Sequence, residues 1–394
     1  MHHPLVSVVI PVVAADDSLG ECVDAVLRQR YDSKELVVSC AQQQALPVLE
    51  QGKAVRLVQL SGTAERVRLI NAGLKAATGS VKVLLMPNCV PVGERWLEAL
   101  IRPLEDGRVA VAVSQCSALH KREMGLGDRL THSVAYPELR NRPAQPSELQ
   151  LVSHLCDAYR ADVLQQLGYM DEKSFPSPGE AIDLSVRIKS AGYRIVLNTE
   201  AAVHCYDPPE NRSLLTVLRK ALDYGYSDAV LGKSYNLEWL GSGRHLAALL
   251  ALLLLPLGLL SLPYALIAAA ALFAWGWFLP LRTPVLRWEW PVAVLNLGVY
   301  VAIIMLVRDE WLPGLFDRRL SHPAIIRQWC ALAAMTASYL LILLQAGVRS
   351  AVRSIIDDGT RLAALPLVPL SILWSLASGV GYLKGSVFGQ PAGR

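Results

Sequence analysis

The sequence predicts an α/β domain followed by a helical membrane region. Three observations carry that prediction. Short apolar, β-branched runs alternate with helical periodicities up to about residue 240. Beyond Gly241–Arg244 long stretches carry no charge at all. The chain has 394 residues, more than one compact domain usually holds, and is 53% hydrophobic. The expected division is therefore a globular domain at 1–240 and a membrane domain at 241–394.

Val6–Val12 reads as a buried strand closing on Pro11. Ser18 and Glu21 form an S-x-x-E capping box. Leu19, Cys22, Val23, Val26 and Leu27 then fall on one helical face. Asp16 and Asp17 precede that helix, where acids suit the dipole. Glu35–Ser39 and Val55–Leu60 are the next strands, and Ala64–Ala77 is a helix closed by Gly79. Val81–Met86 is a fourth strand, running into a loop at Pro87–Asn88–Cys89. Glu94–Glu105 is helical and Val109–Cys116 is a strand. Cys116–Gln150 lacks periodicity and reads as a long excursion over the site. Ala158–Leu167 is predicted helical, Phe175–Gly179 a turn, Ala181–Ala191 a helix capped by Gly192, and Arg194–Leu197 a short strand. Ser213–Leu231 is an amphipathic helix leading to the membrane. This alternation implies a mostly parallel sheet with helices on both faces, and ligand chemistry at the strands' carboxyl ends.

Leu246–Leu281 is 36 residues without charge, too long for one span, and Ser261–Leu262–Pro263 marks a turn within it. Pro291–Val307, Trp329–Gln345 and Ala363–Gly381 are further apolar runs. About four spans are expected, three to five being compatible with the runs. Arg212, Arg219, Lys220, Lys233 and Arg244 precede the first span, which places the N-terminal domain in the cytoplasm by the positive-inside rule.

Net charge is +4, with no basic block, so nucleic acid is not an expected partner. The seven cysteines (22, 40, 89, 116, 156, 205 and 330) form no CxxC pair and read as reduced thiols, which makes zinc an unexpected ligand. The apolar runs carry almost no ionisable residue, which argues against a transporter.

Several segments, in order, resemble the family 2 glycosyltransferases. VSVVIPV at 6–12 and L-x-x-C-V-x-x-V-L-x-Q-x-Y at 19–31 resemble that family's opening. NAGLKAATG at 71–79 and VLLMPNCVPVGERWLEAL at 83–100 resemble the segment holding its D-x-D motif. AYRADVLQQLGYMDE at 158–172 is similar to its R…G-x-x-D-E segment. GEAIDLSVRIKSAGYRIVLNTEAAVHCY at 179–206 is similar to its E-D-x-D-L-x-x-R…G-Y region, closing on a histidine. The resemblance implies the GT-A fold, a nucleotide-diphospho-sugar transferase-like sandwich, here followed by C-terminal transmembrane helices.

By position in that pattern, Pro11, Ser39, Met86, Asn88, Arg160 and His204 are the nucleotide-sugar-binding candidates, and Glu180 and Asp183 the catalytic ones. The family usually holds Mg2+ or Mn2+ with paired carboxylates, because these cations prefer hard anionic oxygens. Met86 and Asn88 stand at those positions, so no metal ligand is assigned. Ser39–Cys40 stands where the family has an acidic base-contacting pair. Ala181 stands where the general base is expected. Glu180 reads either as a surface turn or as a displaced base. Asp183 reads either as a helix cap paired with Arg187 or as an active-site remnant. Arg160 and His204 each have a structural reading beside the functional one.

Two functions follow from the resemblance. The first is a membrane-bound glycosyltransferase of bacterial envelope glycan, exopolysaccharide or glycolipid synthesis, in the inner membrane, with a lipid-linked or glycan acceptor. The second is an inactive pseudo-glycosyltransferase serving other glycan-assembly proteins as scaffold or regulator.

Overall fold

The computed structural model describes residues 4–13, 18–42, 54–62, 65–119, 126–134, 145–152, 155–175, 179–206, 211, 213–235 and 366–390. The chain divides into two compact units. One comprises 1–217, 233–236 and 390–394; the other comprises 218–232 and 237–389.

Among the described residues, the strands of the first unit form one sheet. Its strands are β1 (Val6–Val12), β2 (Lys34–Ala41), β3 (Arg56–Leu60), β4 (Val81–Leu85), β5 (Cys89–Pro91), β6 (Val109–Leu119), β7 (Ser147–Leu149), β8 (Cys156–Arg160) and β9 (Arg194–Tyr206). The order is β3-β2-β1-β4-β8-β6-β9-β5, with β7 also on β9. The half β3-β2-β1-β4 is parallel. β8 runs antiparallel to both β4 and β6. β9 is parallel to β6 and antiparallel to β5 and β7. The sheet is thus mixed, where the sequence pattern implied a mostly parallel one.

The antiparallel β8 also corrects the expected helix Ala158–Leu167. Only Ala161–Gln166 is helical, and Cys156–Arg160 is a central strand buried at four of its five positions. CDAYR contains too little apolar alternation to mark a strand, and its last three residues run on into the helical pattern that follows. The structure differs from the expectation at three further places. β5 is only three residues long, β9 runs on to Tyr206, and the expected loop 116–150 contains a helix and a strand.

The described helices of this unit are α1 (Ser18–Leu27), α2 (Arg66–Ala76), α3 (Trp96–Ile101), α4 (Leu126–Val134), α5 (Ala161–Gln166) and α6 (Glu180–Ser190). α7 (Leu214–Tyr235) follows them. α1 lays Leu19, Cys22, Val23 and Val26 into the core as its periodicity predicts. β1 is buried at all seven positions, and burial of each Val or Ile side chain contributes about 1.5–3 kcal/mol.

Because successive strand residues face opposite ways, register alone sorts side chains between two faces. Pro11, Ser39, Leu84, Asp157, Val113, Gln115 and His204 fall on one face. Val12, Cys40, Leu85, Cys156, Cys116 and Cys205 fall on the other. α2 packs against the first face so tightly that a Cβ on Gly73 would lie 2.4 Å from Val9 Cγ1 and 3.1 Å from Ser39 Oγ.

In the second unit, α8 (Leu367–Phe388) packs on residues 218–232 through glycines. A Cβ on Gly225 would meet Ser378 O at 1.9 Å, and one on Gly381 would meet Leu222 O at 1.9 Å. Of the expected spans, Leu246–Leu281, Pro291–Val307 and Trp329–Gln345 lie outside the described residues. Ala363–Gly381 overlaps α8, and no described helix is long and apolar enough to cross a membrane.

Candidate functional site

The carboxyl ends of β1, β2 and β4 meet at one edge of the sheet, and the Met86–Cys89 loop closes it. Cys89 N–H donates to Met86 O at 2.9 Å, which makes 86–89 a β-turn with Pro87 second, the position its fixed φ favours. Met86 itself is buried, and its N–H donates to Leu155 O at 2.9 Å.

Asn88 is pinned to β9. Its Nδ2 donates to Tyr206 O at 2.6 Å, and its carbonyl accepts the Tyr206 N–H at 2.8 Å. Asn88 therefore acts as a structural donor, a role that an aspartate in its place could not fill. Two residues before Tyr206, His204 sits opposite Val90 and Ser117. Its Nδ1 is buried without a hydrogen-bond partner, as are Ser39 Oγ at the end of β2 and Gln115 Oε1 on β6.

Glu180 and Asp183 come from the first turn of α6, which begins at Gly179 with φ 122°, a conformation that favours glycine. Gly179 is thus the cap, where Asp183 was a candidate for that place. Asp183 is instead 1% exposed with both oxygens engaged. Oδ2 accepts Arg187 Nε at 3.0 Å and Nη2 at 2.5 Å, and Oδ1 accepts the Tyr235 hydroxyl. Burial, then the Asp183 hydrogen bond, holds the Tyr235 phenol above its usual range. Arg187 also donates to Leu167 O at 2.5 Å and Tyr169 O at 2.7 Å, fixing a turn where Tyr169 has φ 66°. Glu180 is buried and close to β8. Burial, the Asp157 charge and, more weakly, Glu180 push the Tyr159 phenol well up.

Arg160 is elsewhere. It pairs with Val81 at the far end of β4 from Met86 and belongs to the opposite face. There it forms an ion pair with Asp162 at 2.6 Å and donates to Gly107 O at 2.9 Å. The edge thus brings together Pro11, Ser39, Met86, Asn88 and His204, with Glu180 and Asp183 on the helix over the same face, and leaves Arg160 out.

Other motif residues are structural. Gln29 Nε2 donates to Ala25 O at 3.0 Å and Gly93 O at 2.7 Å, while its Oε1 accepts Leu97 N–H. Asn71 clamps Met170 through both backbone groups and also donates to Glu172. Gly79 admits the Ser7 hydroxyl, which accepts its N–H at 2.7 Å. Gln115 and Tyr235 escaped the sequence reading. Gln115 is the polar break in VAVAVSQC, a visible signal; Tyr235 lies 52 residues from Asp183, and nothing local marks it.

Behind the loop, the opposite face collects thiols. Cys22 Sγ lies 3.8 Å from Met86 O, and Cys89 and Cys205 touch at 2.8 Å. Burial pushes Cys89 up to about 11, so it is an inert thiol at neutral pH. Among the described residues no group of three or more His, Cys, Asp or Glu could hold a metal ion. Met86, Asn88 and His204 together offer a thioether, one neutral amide and one imidazole, which does not fit Mg2+ or Mn2+.

A family model described as glycosyltransferase like family 2 matches residues 3–221. Among solved structures, the mannosyltransferase PcManGT from Pyrobaculum calidifontis, in complex with GDP-Man and Mn2+, is similar at 15% identity. That match covers 91% of this chain and 88% of that one with a TM-score of 0.46. GalNAc-T7 with UDP, GalNAc and Mn2+ is similar at 16% identity over 60% of this chain and 52% of that one, TM-score 0.42. S. aureus TarS is similar at 15% identity over 74% of this chain and 53% of that one, TM-score 0.42. No curated protein matches the chain.

Proposed function

Because the chain belongs to glycosyltransferase-like family 2, we propose that it is a membrane-bound protein of bacterial envelope glycan, exopolysaccharide or glycolipid synthesis that binds a nucleotide-sugar donor without a divalent cation. Its place is the inner membrane, with the N-terminal domain in the cytoplasm and a lipid-linked or glycan acceptor. The long uncharged runs after residue 241 and the basic residues before them support the anchoring.

One observation carries the metal-independent reading. At the edge where the family pattern has two carboxylates, Met86 is buried and Asn88 spends its amide N–H on the Tyr206 carbonyl. Neither supplies the anionic oxygen a hard cation needs. The charge of a leaving diphosphate must then be met by hydrogen-bond donors and the loop backbone. Of the two carboxylates on α6, Asp183 is committed to Arg187 and Tyr235, and Glu180 is the candidate for the base role.

A second reading has its own observation. With Ala181 at the usual base position and Asp183 bound on both oxygens, the fold can persist as a scaffold for other glycan-assembly proteins. Isothermal titration of the detergent-purified chain with nucleotide sugars, with and without Mn2+, separates the two. Binding that Mn2+ leaves unchanged is the expected result. Binding only with Mn2+ would sink the metal-independent site, and no binding to any donor would leave the scaffold.

A further inference from the structure

Two polar side chains on the site face are left unexplained by packing. Gln115 Oε1 and His204 Nδ1 are both buried, and neither has a hydrogen-bond partner. A buried polar atom without a partner is destabilising, so two side by side call for an explanation. Neighbours they are. In the parallel ladder Gln115 stands opposite Ala202, and Ser117 opposite His204. Both side chains therefore project from one face, with their Cα atoms about 8 Å apart by strand geometry. The small Ala202 beside Gln115 leaves room between them. On its other side His204 is flanked by Val90, two residues from the turn residue Asn88.

We infer that Gln115 and His204 form a hydroxyl-binding pair for the sugar ring of the donor, each accepting one sugar O–H. This rests on the donor-binding reading above and adds the part of the donor that each residue meets. The chemistry of the two atoms selects the ligand. An amide oxygen only accepts, and a neutral imidazole with its proton on Nε2 accepts at Nδ1. Phosphate oxygens at neutral pH also only accept, so a diphosphate cannot bond to Gln115 Oε1. Neighbouring hydroxyls on a pyranose donate two O–H groups from one edge, which matches two acceptors side by side. Asn88 does not compete, since its amide N–H is already held by Tyr206 O.

The test is isothermal titration of the full-length detergent-purified protein. The probes are UDP-glucose, UDP-N-acetylglucosamine and GDP-mannose, each against UDP or GDP alone. Gln115→Met keeps the side-chain volume and removes the acceptor. It should leave nucleoside diphosphate affinity unchanged and weaken the bound nucleotide sugar about tenfold or more. Gln115→Glu keeps an acceptor and should hold the sugar within about threefold. His204→Phe should repeat the Gln115→Met pattern, and a single cooperative melting transition in all three confirms folding. Among the variants, three results overturn the pair: lost nucleoside diphosphate affinity in Gln115→Met, collapse of all binding in Gln115→Glu, or unaltered sugar affinity in Gln115→Met. A wild type that binds the nucleoside diphosphate as tightly as the nucleotide sugar overturns the pair alone. A wild type that binds neither brings down the donor-binding reading and the pair with it.

Discussion

Replacing Asp183 with Asn should unfold the domain earlier without touching any proton transfer. The carboxylate is 1% exposed and takes three hydrogen bonds, two from Arg187 and one from Tyr235. Breaking a buried ion pair from one side typically costs about 3–5 kcal/mol. Here the loss is smaller, because the Arg187 side chain is 24% exposed and stays bonded to the Leu167 and Tyr169 carbonyls. About 2–4 kcal/mol is the expected loss, or a melting temperature lower by roughly 5–15 °C for a domain of this size. A cycle with Tyr235→Phe localises it. Alone, that change should cost about 1 kcal/mol, and in the Asp183→Asn background much less. The assay is thermal melting followed by circular dichroism, beside donor titration on the same samples. A melting temperature within about 1 °C of wild type, together with abolished sugar transfer, would refute the reasoning, since Asp183 would then be a free base and not a clamp.

Four other outcomes follow from particular contacts. Gly79→Ala places a methyl 2.5 Å from Leu5 O and 2.6 Å from Ser7 Oγ, so about 2–3 kcal/mol should be lost in a thermal melt. Glu35 accepts hydrogen bonds from Ser7 Oγ at 2.5 Å and Thr78 N at 2.6 Å; burial pushes its carboxyl up, but these bonds outweigh it and hold it below the usual 4.5. Its contribution is therefore complete above pH 4.5 and lost as pH falls through the lower folded value, so the melting difference from Glu35→Gln should close in acid. Cys89, Cys156 and Cys205 should resist a maleimide in the native protein and react in urea, as read by mass spectrometry, because burial raises the first two and encloses all three. Met86→Asp with Asn88→Asp should lower the melting temperature, and added Mn2+ should not restore it; restoration by Mn2+ would show that the edge keeps metal-binding geometry.

Hydrophobic periodicity was a good guide wherever packing follows it. Val6–Val12 is both the predicted and the observed β1, and α1 starts at Ser18 as the capping box indicates. It failed at β8, because CDAYR sits between two strands and draws its burial from neighbours distant in sequence. The same limit hid the site's partners. That Asn71 clamps Met170 across 99 residues, or that Tyr235 reaches Asp183 across 52, is a property of the folded topology. Met86, Asn88 and His204 lie at one edge, while Arg160, from a segment that resembles the family as closely, lies on the other face at the other end of β4.

The thiols and the polar site residues divide by strand parity, and that division bears on how the edge works. Cys89 and Cys205 are directly opposed in β5 and β9, and their neighbours Asn88 and Tyr206 carry the hydrogen bonds that close the ladder. The small, apolar thiol pair lets the opposite face close, while the turn above it is tied to β9 by an amide that donates. An aspartate at residue 88 would face the Tyr206 carbonyl with an acceptor, lose the 2.6 Å bond, and leave two oxygens opposed. Asparagine ties the loop with no cation at all. The missing acidic pair is therefore coupled to a bond that orders the loop, and the edge is held in place by the protein's own donor.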